Sequence, residues 1–192
     1  MEVTNEPVVR GGYLHARSNF LRKRRLSHEL FTQYQYDRVR GLRDRWLAGG
    51  GLRWRWLESD KSSLYLGAGI MYEVEQWQDP EAENKFIQPK LWKSANYLSL
   101  NTAFSNQVSL HAISYYQTGF DNSIDAFRHC ISATATLRVK LSSKLTFKTS
   151  FDGVYENRPV IPITKFIYSL NNGLTVSFWF VPQIEVCHSD PR

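Results

Sequence analysis

The sequence predicts an all-β protein, an antiparallel up-and-down transmembrane β-barrel. Three observations lead there. Apolar and polar side chains alternate along segments longer than soluble strands usually are, the connections between segments alternate in length, and Trp residues gather near segment ends. Successive side chains of a strand point to opposite faces, so sustained alternation gives one face suited to hydrocarbon and one suited to water.

The alternation is clearest over residues 43–57. Trp46, Ala48, Gly50, Leu52, Trp54 and Trp56 share one phase; Arg43, Arg45, Gly49, Gly51, Arg53 and Arg55 share the other, with Leu47 and Leu57 as apolar exceptions. Nine such segments can be drawn, at 12–22, 28–37, 43–57, 63–77, 91–104, 108–118, 129–141, 144–156 and 166–179. In the fourth, Leu64, Leu66, Ala68, Ile70, Tyr72 and Val74 oppose a phase containing Glu73 and Glu75. In the seventh and eighth, Ile131, Ala135, Leu137, Phe147 and Phe151 oppose Thr136, Arg138, Lys148 and Asp152. The ninth sets Tyr168, Leu170, Leu174, Val176 and Phe178 against Ser169, Asn171, Gly173, Thr175 and Ser177. Helical spacing would scatter charge through every apolar stripe, so it fits none of these. The first, second and fifth segments are less regular; Asn96 falls on the apolar phase of the fifth.

Connections near 23–27, 58–62, 105–107 and 142–143 are short and rich in turn-forming residues. Those at 78–90, 119–128 and 157–165 are longer, with 38–42 the shortest of that set. Short turns at one rim and long loops at the other are the habit of bacterial outer-membrane barrels, which have an even strand count and both ends on the periplasmic side. On that logic a strand should precede residue 12. The expectation is a ten-strand parent whose first strand and signal peptide are missing, with 1–11 a remnant of an outer loop, 12–180 the barrel and 181–192 a disordered tail. The opening residues show no basic stretch followed by an apolar one, and so no secretion signal.

Trp46, Trp77 and Trp92 fall near the expected outer ends of strands, and Trp54, Trp56 and Trp179 near the periplasmic ends. Trp gathers at both membrane interfaces, where one edge of its ring stays wet, so these six are read as an aromatic girdle. Facing the other way, Arg45, Arg53, Arg55, Glu73, Glu75, Arg138, Lys148 and Asp152 are read as an ionic network filling the lumen, since buried charge left unpaired costs several kcal/mol. Gly49, Gly50 and Gly51 mark a close packing point or a bend.

Composition fits this picture. A mean hydropathy of −0.41 is that of a soluble protein, but alternating faces average toward neutral in a barrel. No apolar run approaches the roughly 18–20 residues of a spanning helix. A net charge of +6 admits anionic lipid, lipopolysaccharide or nucleic acid as partners. Arg22-Lys23-Arg24-Arg25 is a local basic cluster, read first as a solvated turn. No nucleic-acid-binding motif is present, and none for phosphate-loop, dinucleotide or metal binding. Cys130 and Cys187 are too isolated for a zinc site or a disulfide framework.

Four stretches carry a family likeness. They are His28-Glu29-Leu30-Phe31-Thr32-Gln33-Tyr34-Gln35-Tyr36, Asp44-Arg45-Trp46-Leu47-Ala48-Gly49-Gly50-Gly51-Leu52, Asn96-Tyr97-Leu98-Ser99-Leu100 and Tyr168-Ser169-Leu170-Asn171-Asn172-Gly173-Leu174-Thr175-Val176-Ser177-Phe178. Together they resemble the domain-of-unknown-function family 481, the salt-induced outer-membrane proteins of Gram-negative bacteria. The resemblance covers most of residues 12–180. It implies an outer-membrane barrel, delivered by the barrel-assembly machinery in its full-length form and bounded by outer-membrane lipid and lipopolysaccharide. It supplies no catalytic residues. The sequence departs from the family pattern by continuing past Phe178-Trp179-Phe180, where such a barrel normally ends.

Little in the chain suggests chemistry. His111 shares the inward phase of its strand with Ser109, Tyr115 and Gln117, but no Ser lies in a nucleophile elbow. Glu73 and Glu75 could serve as paired carboxylates or hold calcium, yet inside a barrel they are better placed to neutralise arginines. The expected role is non-enzymatic, without cofactor or metal: an envelope or stress-adaptation component with a polar, filled lumen. Two alternatives stand beside it. One is an outer-membrane lipid-modifying enzyme or small-solute channel using His111 or Glu73. The other is a soluble lipocalin-like barrel that binds an apolar ligand and turns the apolar phase inward.

Overall fold

The computed structural model describes residues 11–79 and 85–177. All regular structure among them is strand: β1 (Gly11–Phe20), β2 (Leu26–Asp37), β3 (Leu42–Glu58), β4 (Ser62–Gln78), the two-residue β5 (Phe86–Ile87), β6 (Lys90–Ala103), β7 (Val108–Asp121), β8 (Ala126–Lys140), β9 (Leu145–Glu156) and β10 (Phe166–Val176). Each long strand pairs antiparallel with the next in sequence, giving the order β1-β2-β3-β4-β6-β7-β8-β9-β10, with β5 clipped to β4. This is an up-and-down meander, as the alternation predicts, and the nine long strands match the nine segments to within a few residues. Of the expected loop remnant 1–11, only Gly11 is described, and it opens β1; residues 1–10, Trp179 and the tail 181–192 lie outside the described residues.

The sheet is strongly curled. Tyr97 on β6 donates its hydroxyl hydrogen to Glu29 on β2 at 2.8 Å, and Arg17 on β1 reaches the Tyr115 hydroxyl on β7 at 3.4 Å. These contacts cross the concave face, because the strands involved are not sheet neighbours. Among the described residues β1 and β10 are not paired, so the curl stops short of a closed barrel.

Glycine lets the sheet bend between β3 and β4. A Cβ on Gly51 would lie 2.5 Å from the Ala68 carbonyl oxygen and 2.7 Å from the Gly69 Cα. The Tyr97 ring occupies the space above Gly67, where a Cβ would come within 1.9 Å of it. The glycine-rich inward phase of these strands is thus a close-approach surface, with large side chains of other strands filling the room.

Two bulges explain where simple alternation fails. The β3–β4 register slips between Leu42 and Asp44 and again between Arg55 and Leu57. The first slip turns Leu42 inward, opposite Trp77; the second carries Leu57 to the outer face, where it is 49% exposed. Leu47 is a true exception and packs in the lumen, 6% exposed.

One rim is made of tight turns at 21–25, 59–61, 104–107 and 141–144. Serines cap three of them; Ser142 Oγ, for example, accepts the Lys144 and Leu145 amide hydrogens at 3.2 and 3.1 Å. The opposite rim carries connections at 38–41, 79–89, 122–125 and 157–165. The expected long loop at 119–128 is instead a hairpin turn. Asp121 accepts the Ser123 amide and hydroxyl hydrogens at 2.9 and 2.6 Å and the Arg128 Nε hydrogen at 2.6 Å, which lets both strands run to the turn. The alternation of connection lengths is therefore real at two of the four positions on this rim.

Candidate functional site: the charged lumen

Alternation puts the odd residues of β1 to β7 and the even residues of β8 and β9 on the concave face, apart from the bulged end of β3, and charge is concentrated there. At the loop end Arg45 forms ion pairs with Glu73 and, at 3.3 Å, with Glu75, while Lys93 closes on the other oxygen of Glu73. Glu73 is 1% exposed and Lys93 7%. The Trp77 indole donates to Glu75 at 2.9 Å. Two cations and two carboxylates on three consecutive strands thus satisfy one another away from water, which is the condition for tolerating buried charge.

Above this group lies the main apolar cluster, Leu42, Trp77 and Ile161, with Ile87, Val160 and Ile163 packed against it. The β9–β10 loop is folded over the mouth to supply three of these residues. It is anchored by the Asn157 side chain, which accepts the His129 amide hydrogen at 2.8 Å, and by Arg128, which donates to the Arg158 carbonyl at 2.5 Å.

A second group sits toward the turn rim. Glu29, 3% exposed, faces Arg53 at 3.6 Å and Arg17 at 3.9 Å and accepts the Tyr97 hydroxyl at 2.8 Å. The Arg17 guanidinium lies 5.2 Å from the Tyr97 ring centre, and that of Arg53 lies 3.9 Å from Tyr65. Cation–π contact and ion pairing together hold both arginines, Arg17 reaching across the lumen to Tyr97 and Arg53 bound by residues of the neighbouring strands. Between the groups is a cavity of about 630 Å³ bordered by Tyr13, Phe31, Met71, Tyr97, Tyr115 and Gln117 among others.

The structure joins some of the expected lumen residues and separates others. Arg45, Glu73 and Glu75 form one cluster, and Arg53 belongs to the Glu29 cluster. Arg55 stands at the turn rim, paired with Glu58 and donating to the Arg22 carbonyl at 2.6 Å. Arg138 and Lys148 face each other across β8 and β9 with no ion pair among the described residues, and both are exposed. Their register row meets β6 at Ala103 through Ser109, whereas Glu73 pairs with Leu91 at the other end of that strand, so the two sets never meet. Asp152 accepts the Thr134 hydroxyl hydrogen at 2.8 Å instead of joining a cation. Glu29, Arg17, Lys93 and Tyr97 complete the network although sequence reasoning did not include them. Their phase along β1, β2 and β6 was the available signal.

On the convex face Trp46, Trp54, Trp56 and Trp92 are all more than 45% exposed. Trp46 packs on Tyr34 at 4.5 Å and Trp92 on Tyr72 at 5.1 Å near the loop rim, while Trp54 and Trp56 stack at 5.9 Å near the turn rim. Leu30, Ile70 and Leu98 lie exposed between these rows. Trp77 does not belong with them. It is 3% exposed on the concave face, in the same phase as Glu73 and Glu75 and opposite Leu42.

His111 meets Asn101 Oδ1, its cross-strand partner, at 2.5 Å; among the described residues neither a Ser nor a carboxylate is hydrogen-bonded to it. Among the described residues no group of three or more His, Cys, Asp or Glu is placed to hold a metal ion.

Over residues 2–178 the chain matches the family described as a protein of unknown function, DUF481. The match spans most of the sequence, and the chain belongs to that family. A comparison with curated proteins finds no match.

Proposed function

We propose that this DUF481 chain is a barrel of the Gram-negative outer membrane that acts as a non-enzymatic envelope component, its lumen occupied by ion-paired side chains. One observation carries the reading, namely that the fold is inside out relative to a water-soluble barrel. Glu29, Glu73, Glu75 and Lys93 are buried on the concave face, while Leu30, Ile70 and Leu98 are exposed on the convex one. In water that arrangement leaves a large apolar surface wetted; in a bilayer it satisfies both faces. The Trp rows near the two rims support the same placement, with ring edges at the level of the headgroups. The lipocalin-like alternative needs the opposite sidedness, with Leu66, Ala135 and Val176 inside. Leu66 and Ala135 instead lie in the phase opposite to Glu73 and Thr136, and the interior holds carboxylates.

Single-Trp variants reconstituted into vesicles containing brominated phosphatidylcholine test the placement. Trp46 and Trp92 fluorescence should be strongly quenched, and Trp77 fluorescence should be spared. Equal quenching at Trp77 and Trp46 would refute the orientation.

A second reading, a binding or conducting role for a small solute, is favoured by the cavity of about 630 Å³. That size falls within the roughly 300–1,000 Å³ of ligand pockets. The enzyme reading gains no such support, since His111 lacks the partners that acyl transfer requires.

A further inference from the structure

We propose that the turn rim holds a binding site for a phosphate ester, in the hollow of about 240 Å³ bordered by Arg22, Arg24, Arg25, Arg53, Arg55 and Tyr65. The basic run that reads in sequence as a solvated turn is folded onto two lumen arginines. Leu21 adopts φ of 60°, a left-handed conformation uncommon for a bulky side chain. The turn then closes with the Arg24 amide donating to the Leu21 carbonyl at 2.9 Å. Arg55 holds it from the β3 side, its amide donating to the Arg25 carbonyl at 2.8 Å and its guanidinium to that of Arg22 at 2.6 Å.

The charges do not balance. Glu58 pairs with Arg55 and Glu29 with Arg53, but Arg22, Arg24 and Arg25 have no ion pair among the described residues. The Arg55 Nε is buried and has no hydrogen-bond partner. Five arginines border one small hollow, and their side chains carry forked donors of the kind that match phosphate oxygens. The outer side of the same rim exposes Leu26, Trp54, Trp56 and Leu57, an apolar ledge on which acyl chains would lie. The ligand chemistry is a phosphate ester on a small polar group, supplied either by the headgroup of an anionic phospholipid or by a soluble phosphorylated solute. The first source rests on the membrane reading above, and the second does not.

Two binding measurements on the full chain separate these sources. In dodecylmaltoside micelles, titration with glycerol 3-phosphate is followed by the fluorescence of Trp54 and Trp56. In vesicles of phosphatidylcholine doped with phosphatidylglycerol, mass spectrometry of the extracted protein counts retained phosphatidylglycerol. The variant Arg24→Gln/Arg25→Gln changes only exposed turn side chains, and Lys140→Gln/Lys144→Gln removes the same charge from the same rim outside the hollow. Loss of charge-assisted hydrogen bonds should weaken binding at least about tenfold in the arginine variant, with the lysine variant unchanged. Saturation by glycerol 3-phosphate identifies a soluble ligand, and retention of phosphatidylglycerol alone identifies the headgroup. Equal loss in both variants, or no saturable binding in either arm, overturns the proposal.

Discussion

Glu73 is the residue on which the loop-end network turns, because it answers both Arg45 and Lys93 while almost wholly buried. Removing its charge leaves Lys93 without an ion-pair partner and Arg45 with Glu75 alone. Glu73→Gln should therefore lower stability by about 3–5 kcal/mol, as expected when one member of a buried pair is deleted. Glu58→Gln, at an exposed pair on the rim, should cost under about 1 kcal/mol. Urea unfolding of the micelle-refolded protein compares them, and similar midpoints would contradict a role for the lumen charges in holding the sheet. Arg45, Glu73 and Glu75 were legible as members of one charged face because they share the inward phase of consecutive strands, whereas the register that pairs Arg45 with Glu75 came only with the structure. The contact of Glu29 with Tyr97 was not legible, because β2 and β6 come together only across the lumen and that meeting is set by how far the sheet curls. Trp77 was misplaced for a different reason. Its aromatic character suggested an interface, although its phase matches that of Glu73 and Glu75.

At the level of elements, the β3–β4 pair sets the curl, and its inward glycines leave room for side chains from across the lumen. Gly67→Ala would drive a methyl group into the Tyr97 ring and so disturb the Tyr97–Glu29 hydrogen bond. We expect a cost of about 1–3 kcal/mol, typical of overpacking. In the Tyr97→Ala background the same change should cost much less, because the obstacle has gone. Equal costs in the two backgrounds would show that the glycine serves some other need. The outer face obeys the opposite rule. If the proposed membrane placement holds, Leu66→Arg or Ala135→Arg puts a charge on a lipid-facing site and should destabilise the refolded protein by about 2–4 kcal/mol. Unchanged heat-modifiability on gels would count against lipid contact at these sites. Strand positions were readable from period-two alternation, which is clearest in β3, β4, β8, β9 and β10, where a polar face opposes an apolar one. The bulges at Leu42–Asp44 and Arg55–Leu57 were not, because an inserted residue leaves the local composition unchanged while reversing the phase beyond it. Nor was the tight turn after β7, whose stability comes from three hydrogen bonds converging on Asp121.

For the molecule as a whole, the described sheet has two unpaired edges, β1 and β10, and an apolar convex face. β10 is exposed along its entire length, so it lacks cover on both faces as well as a partner at its edge. Open edges and exposed apolar surface each favour association, and here they occur together. Detergent can cover the convex face but supplies no strand to an edge, so the two liabilities can be separated. In plain buffer the chain should sediment as large aggregates. In dodecylmaltoside it should become soluble yet still form edge-paired dimers, which a Tyr168→Pro/Leu170→Pro variant on β10 would suppress, because the amides of these even residues face the open edge while Lys165 and Ser177 bond back toward β9. Sedimentation velocity in the two media reads both effects. A stable monomer in plain buffer would mean that the apolar face is covered and the edges are sealed, and would remove the basis for placing this sheet in a membrane.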